Sequence, residues 1–197
     1  MNWQQIKPLL YPGQEIALMV HERPDGDALG SALGLGIMLR AMGYCPTFYR
    51  VRPIDPLYSF LPGQNLVKVV GRRNIELPKN GAVIVLDCGD EARCEYFLGK
   101  KSPLLNVDHH ISNPYFGVLN WVNPTAAATA EVLWQIFHDE GIPLVPDAAT
   151  CFYMAMLTDT GWFRFQNVGW KTLNAAADMV RQGADLDTIR YHLAESR

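Results

Sequence analysis

Three short apolar segments constrain the fold more than any other feature of this sequence. They span residues 15–20, 82–86 and 104–107, with Glu15 and Asn106 as their polar members. Short, largely apolar runs of this kind are typical of parallel strands buried on both faces. Longer segments with helical character follow, among them 27–43 and 125–140. Strands that alternate with helices predict an α/β fold, with a doubly wound, mainly parallel sheet flanked by helices.

Local patterns predict the remaining elements. They are a lead-in helix over 1–10, a strand at 45–51, a helical turn at 55–61, and helices at 90–98, 147–159, 171–182 and 186–195. Asp147 is the expected N-cap of the helix that ends at Asp159. A chain of 197 residues that is 49% hydrophobic can bury one good core, so we expect a single domain over 1–197.

Composition excludes several classes of protein. The formal net charge is −3, which argues against a basic face that grips long nucleic acid. No apolar run approaches the roughly 20 residues that a membrane span needs, so no membrane partner is expected. The four cysteines are scattered and none has zinc-knuckle spacing. These features predict a reduced, cytoplasmic setting.

Acidic and imidazole side chains follow each apolar segment. They are His21, Asp25 and Asp27 after the first, Asp87 after the second, and Asp108, His109 and His110 after the third. The carboxyl ends of parallel strands lie at one edge of a sheet, where open α/β sheets bind their ligands. Asp159, between two threonines and before a glycine, is a further acidic group that can join them.

Such a gathering of carboxylates and imidazoles predicts a metal site. The groups would repel or desolvate one another unless a cation joined them. Carboxylate and imidazole ligands without thiolate suit Mn²⁺ or a similar divalent ion. Each residue also has a simpler interpretation, since Asp27 could cap a helix, His21 could be an ordinary strand-end histidine, and Asp87 could be a turn residue. Together these interpretations require several independent coincidences at one edge.

Four motifs, in this order, resemble those of the DHH phosphoesterase superfamily. They are His21-x-x-Pro24-Asp25-x-Asp27-Ala28-x-Gly30-Ser31, then residues 86–90, 108–110 and 158–161. Their wording is most similar to the bacterial branch of nano-RNases and 3′-phosphoadenosine 5′-phosphate phosphatases. Members of the family carry a second, C-terminal domain that binds the nucleotide, and nothing after Asp159 resembles it. The resemblance therefore implies a DHH catalytic domain alone, either truncated or naturally single.

The resemblance also implies a site. One metal would be bound by His21, Asp25 and Asp87, and a second by Asp27, Asp87, His109 and Asp159. Mn²⁺ is expected, with Mg²⁺ or Co²⁺ as alternatives. His110 would act as general acid or phosphate ligand, with Asp108 as its orienting partner. Metals about 3.5–4 Å apart suit in-line phosphoryl hydrolysis.

Substrate contacts are less constrained. The candidates are Ser31, Arg93, Asn113 and Arg164. Close packing of the helix on the sheet is an alternative explanation for the motif around Ser31, a solvated surface arginine is nearly as good an explanation for Arg93, Asn113 is equally open, and Arg164 is expected to line the cleft. The expected reaction is hydrolysis of short oligoribonucleotides or of 3′-phosphoadenosine 5′-phosphate. A homodimer is a further possibility that the sequence leaves undecided. The alternatives are a manganese-dependent inorganic pyrophosphatase, or a metal-binding fragment without turnover because its substrate domain is missing.

Overall fold

The computed structural model describes residues 3–71, 81–94 and 105–194, and a six-stranded parallel sheet forms its centre. The strands are β1 (Glu15–Met19), β2 (Cys45–Arg50), β3 (Val67–Val69), β4 (Ala82–Leu86), β5 (Leu105–Asp108) and β6 (Leu119–Val122). Their spatial order is β3-β2-β1-β4-β5-β6, and every neighbouring pair is parallel. The strand order reverses between β1 and β4, which is the switch point where doubly wound sheets bind ligands. The predicted fold class is confirmed.

Five α-helices accompany the sheet in the described part of the chain. They are α1 (Gly26–Ala41), α2 (Thr129–Asp139), α3 (Pro146–Asp159), α4 (Trp170–Arg181) and α5 (Leu186–Ala194). Helix α1 is buried along almost its whole length, as expected of a helix that is apolar all round. A Cβ at Gly30 would lie 2.5 Å from the carbonyl oxygen of Cys151 in α3, and one at Gly34 would lie 2.4 Å from the Phe152 ring. These glycines therefore let α1 and α3 approach closely.

The described residues pack into a large core and a smaller one. Alternate residues of β1 belong to different cores, since Ile16 and Leu18 lie in the large one and Ala17 and Met19 in the small one. The sheet is thus buried on both faces, as its continuous apolar strands predict. Within the described ranges, no helix has the length and apolar character to cross a bilayer.

Several predicted boundaries were wrong for local reasons. Residues 3–9 form two 3₁₀ turns, Trp3–Gln5 and Lys7–Leu9, instead of one helix, because Pro8 lacks the N–H that a continuous helix needs. Helix α3 begins at Pro146, so Val145 is its N-cap and Asp147 lies in the first turn. The predicted turn at 55–61 is the 3₁₀ segment Pro56–Tyr58.

Two edge strands and parts of two helices also differ from the predictions. The strands β3 and β6 were not predicted. Their residues are mostly half-buried or exposed, so they lack the apolar run that marks a central strand. Of the helix predicted at 90–98, Glu91–Arg93 is a 3₁₀ turn between Asp90 and Cys94, and residues 95–98 lie outside the described residues. The helix predicted from residue 125 begins only at Thr129.

Candidate metal centre

The predicted ligands meet at the carboxyl edge of the central strands. His21 follows β1, Asp87 follows β4, Asp25 and Asp27 lie at the start of α1, His109 follows β5, and Asp159 ends α3. A cavity of about 90 Å³ opens here. Its lining is formed by His21, Asp25, Asp87, Gly89, Arg93, His109, His110 and Asp159. This space has room for metal ions and for the oxygens of a phosphoryl group.

Five of the six ligands predicted from the resemblance surround Asp87 in two groups. His21, Asp25 and Asp87 have ligand atoms within 4.8 Å of one another, and so do Asp27, His109 and Asp159. The Nε2 atom of His109 lies 3.8 Å from Asp27 Oδ2 and 3.5 Å from Asp159 Oδ2. Each group therefore offers three donors to one ion.

Asp87 connects the two groups. Its Oδ2 atom lies 3.7 Å from Nε2 of His21, and its Oδ1 atom lies 3.7 Å from Nε2 of His109. One carboxylate thus turns one oxygen toward each group, as a bridging ligand does. The Asp87 backbone has a φ of 50°, a left-handed conformation that non-glycine residues adopt at a cost and that clusters at functional sites.

The charges at the site are poorly compensated by protein groups. Burial raises the pKa of Asp27 well above its usual value, and the neighbouring charges of Asp87 and Asp159 raise it further. Burial also raises the pKa of Asp159 to about 6, against the lowering effect of His109. Neighbouring carboxylates repel one another when all of them are ionised, and a bound cation stabilises their charged forms. The donor set, carboxylate oxygen and imidazole nitrogen, fits hard to borderline divalent metals.

The start of α2 holds two of the carboxylates, which the sequence analysis did not foresee. The backbone N–H groups of Thr129 and Ala130 donate to Asp27 at 2.6 and 3.1 Å. The Thr129 hydroxyl donates to Asp87 Oδ1 at 3.0 Å. N–H groups at a helix N-terminus lack intrahelical partners and favour anions. In the sequence, the threonine at the start of this apolar helix was the feature that could have indicated this contact.

Asp108 and His110 form a pair beside the ligands. The Nδ1 atom of His110 lies 2.7 Å from Asp108 Oδ1, and Asn113 donates to Asp108 Oδ2 at 2.5 Å. Burial favours a raised pKa for Asp108, but the hydrogen bonds from His110 and Asn113 lower it overall. The bond to Asp108 raises the pKa of His110 to about 9. Asp87, His109 and His110 also lie close enough to form a third ligand group. The geometry is therefore compatible with His110 as a general acid and with His110 as a metal ligand.

The four substrate candidates occupy different environments. Arg93 lines the cavity. Ser31 is fully buried and donates to Asp27 at 3.0 Å, and Asn113 is buried behind Asp108. We therefore assign these two side chains to positioning the carboxylates. Arg164 is exposed, and its Nε atom donates to the Gly161 carbonyl at 2.8 Å.

Asp25 caps the N-terminus of α1, a role that the sequence suggested for Asp27. Asp25 is the N-cap of α1, and its side chain accepts from the Ala28 N–H at 3.1 Å. Asp27, weighed earlier as a cap, lies inside the first turn with its carboxylate turned to α2. The capping bond holds one oxygen of Asp25 in place and leaves the other for an ion.

Fold and site together define an α/β domain with a candidate two-metal centre at the switch point of its sheet. The comparison with known families places it further. The chain belongs to the DHH family, because residues 15–156 match that family's N-terminal domain. The resemblance inferred from the motifs is thereby confirmed.

Individual relatives agree with this placement. The chain is 33% identical over 178 residues to the bifunctional oligoribonuclease and PAP phosphatase NrnA of Thermus thermophilus, covering 90% of this chain and 53% of that protein. It is 31% identical over 188 residues to the NrnA of Bacillus subtilis, covering 92% and 58%. The chain thus spans little more than half the length of these relatives.

A solved structure shares the fold. The exopolyphosphatase-related protein of Bacteroides fragilis superposes with a TM-score of 0.84 at 20% identity, over 98% of this chain and 60% of that one. At this identity the likeness bears on the fold alone. It agrees with the parallel α/β architecture of the described residues.

Proposed function

We propose that this chain is the catalytic domain of a metal-dependent phosphoesterase that uses two divalent ions. The observation that carries the proposal is the position of Asp87, whose two oxygens face separate groups of candidate ligands. His21, Asp25 and Asp87 would hold one ion, and Asp27, Asp87, His109 and Asp159 the other. Two such ions lower the pKa of water and neutralise charge on phosphoryl oxygens.

The protein's own residues would complete the chemistry around the phosphoryl group. Asp108 holds Nδ1 of His110, which fixes the imidazole orientation and leaves Nε2 to give a proton to the leaving oxygen. Arg93 lines the same cavity, and its guanidinium can pair with a phosphate of the substrate. Ser31 and Thr129 keep the carboxylates in place.

The proposed substrates are short oligoribonucleotides and 3′-phosphoadenosine 5′-phosphate. Support comes from the names of the relatives and from a cavity that has room for a phosphoryl group beside the candidate metal ligands. A net charge of −3 disfavours long nucleic acid. The donor set favours Mn²⁺. None of the four cysteines forms a disulfide, which supports a reducing, cytoplasmic location.

The test combines activity with a metal count. The 197-residue protein is supplied with Mn²⁺ and assayed on a labelled RNA dinucleotide, 3′-phosphoadenosine 5′-phosphate and inorganic pyrophosphate. We expect two bound ions and hydrolysis of the first two substrates. Asp87→Asn should lose both ions and all turnover. Asp187→Asn, which changes an exposed carboxylate in α5, is the matched control and should change neither.

Each other outcome contradicts part of the proposal. Ions without turnover would contradict the enzymatic part and favour a binding fragment that needs further substrate contacts. Hydrolysis of pyrophosphate alone would replace the proposed substrate class. An Asp87→Asn variant that still binds two ions would refute the bridging assignment.

A further inference from the structure

Two cysteines lie in contact beside the site and have no part in the proposed chemistry. The Sγ atoms of Cys88 and Cys94 are 3.2 Å apart. Both side chains are buried, with exposed fractions of 1% and 8%, and they belong to the smaller core. The Cys88 thiol also contacts the carbonyl oxygen of Asp90 at 3.1 Å. The two sulfurs thus close the loop that runs from Cys88 to Cys94.

Both ends of this loop are joined to residues of the metal centre. Cys88 directly follows Asp87, the residue proposed to bridge the ions. Cys94 pairs with His21 in an isolated antiparallel bridge. Arg93, next to Cys94, lines the cavity, and its carbonyl accepts the N–H of Glu22 at 2.9 Å. Each cysteine is therefore adjacent in sequence to a residue of the site, Cys88 to Asp87 and Cys94 to Arg93.

We propose that Cys88 and Cys94 form an oxidisable dithiol whose disulfide displaces Asp87 and Arg93 and lowers metal affinity and turnover. The parts concerning turnover and Mn²⁺ binding rest on the proposed two-metal phosphoesterase function, and the part concerning the disulfide does not. The reduced pair is the active form. Its oxidation is a reversible modification of the loop that carries one side of the site.

The oxidation changes the geometry by a chemically significant amount. A disulfide bond is about 2.05 Å long, so the two sulfurs, 3.2 Å apart in the reduced protein, must approach by about 1 Å. Both sulfurs are packed in the smaller core and the loop between them is short, so side-chain rotation is restricted and part of this movement is assigned to the backbone. Asp87 already has a left-handed backbone at a φ of 50°, and a misplacement of about 1 Å near reacting groups can cost about a hundredfold in rate.

The reaction balances with hydrogen peroxide as the oxidant. One thiol is oxidised to a sulfenic acid while peroxide is reduced to water, and the other thiol displaces water to form the S–S bond. Two S–H bonds are lost, one S–S bond forms, and two electrons pass to the peroxide. A dithiol reductant reverses the change by thiol–disulfide exchange. Because both sulfurs are buried, a small oxidant such as peroxide is required.

The experiment uses the Cys45→Ser protein, since Cys45 is exposed and could cross-link two copies. The protein is treated with hydrogen peroxide, its remaining thiols are alkylated, and it is digested with trypsin. Arg93 lies between the two cysteines, so trypsin separates them unless a disulfide joins their peptides. We expect the joined peptides, at least tenfold weaker Mn²⁺ binding by titration calorimetry, and a similar loss of turnover. Dithiothreitol should separate the joined peptides and restore Mn²⁺ binding and turnover.

The matched variant is Cys94→Ala in the same background. It cannot form the disulfide, so peroxide should leave its Mn²⁺ affinity unchanged, which separates the dithiol from methionine oxidation. The proposal is overturned if no joined peptides form, or if they form and Mn²⁺ binding is unaltered. Since Mn²⁺ binding is measured without substrate, a protein that binds Mn²⁺ but hydrolyses nothing would refute the proposed hydrolysis and leave this test intact.

Discussion

The Thr129 hydroxyl offers a test of how α2 supports the metal centre. It donates to Asp87 Oδ1 at 3.0 Å, and the Thr129 side chain is fully buried. Thr129→Val keeps the branched shape of the side chain and its backbone N–H bond to Asp27. It replaces the hydroxyl with a methyl group, which cannot donate a hydrogen bond. Asp87 would then lose one fixed donor on the oxygen that faces His109.

The magnitude follows from the kind of hydrogen bond that is lost. A hydrogen bond to a charged group contributes about 1.5–3 kcal/mol, which corresponds to roughly 10- to 150-fold in an equilibrium constant. Groups that orient metal ligands typically contribute about 10- to 100-fold in affinity or activity. We therefore expect Thr129→Val to weaken Mn²⁺ binding by about 10- to 100-fold and to lower turnover in parallel.

The assay is titration calorimetry with Mn²⁺, together with hydrolysis of the RNA dinucleotide. Thr129→Ser keeps a hydroxyl at the same position and should bind Mn²⁺ within a few-fold of the unchanged protein. Thr125→Val alters an exposed threonine of the preceding loop and should have no effect. If the valine variant is folded and binds Mn²⁺ as tightly as the serine variant, the assigned role of α2 is refuted.

Three further changes test other parts of the structure. His110→Ala should keep two bound ions and lose about 10²- to 10⁴-fold in turnover; loss of an ion would instead make His110 a ligand. Gly34→Ala should lower the free energy of unfolding by about 1–3 kcal/mol, because the new Cβ would lie 2.4 Å from Phe152; an unchanged urea midpoint would contradict this. Burial favours a raised pKa for Asp178, but hydrogen bonds from Trp134, Arg181 and Gln182 lower it overall. The charged carboxylate therefore stabilises the fold at pH values above its ordinary pKa of about 3.9, and this stabilisation is lost as the pH falls through the lowered pKa. Asp178→Asn should therefore be less stable than the unchanged protein at pH 7 in urea titrations, and a gap that does not narrow below about pH 4 would contradict the assignment.

The sequence determined the central sheet and the approximate location of the site. Buried parallel strands need apolar residues on both faces, so β4 stands out as a continuous apolar run, β1 as one that follows Glu15, and β5 as a shorter one that contains Asn106. Parallel strands also bring their carboxyl ends to one edge. The candidate ligands after these strands could therefore be grouped before any distance was known. Helix α1 was equally clear, because its apolar residues continue for four turns.

The tertiary structure decided which atoms face one another. The edge strands β3 and β6 depend on pairing with β2 and β5 more than on their own residues, so their sequences carry little signal. The contact of Thr129 with Asp87 joins residues 42 positions apart, and no local pattern encodes such a distance.

Ser31 and Asn113 show the same division. Ser31 ends the first motif and Asn113 lies three residues after the third, and the sequence could not tell a substrate contact from a supporting one. The fold buries them behind Asp27 and Asp108, where a polar group is stable only with a hydrogen-bond partner. Residue type and order thus determined the chemistry available at the sheet edge. The packing of α1 and α2 against that edge decided which side chains line the cavity and which hold those side chains in place, because burial and hydrogen-bond partners are properties of the folded chain.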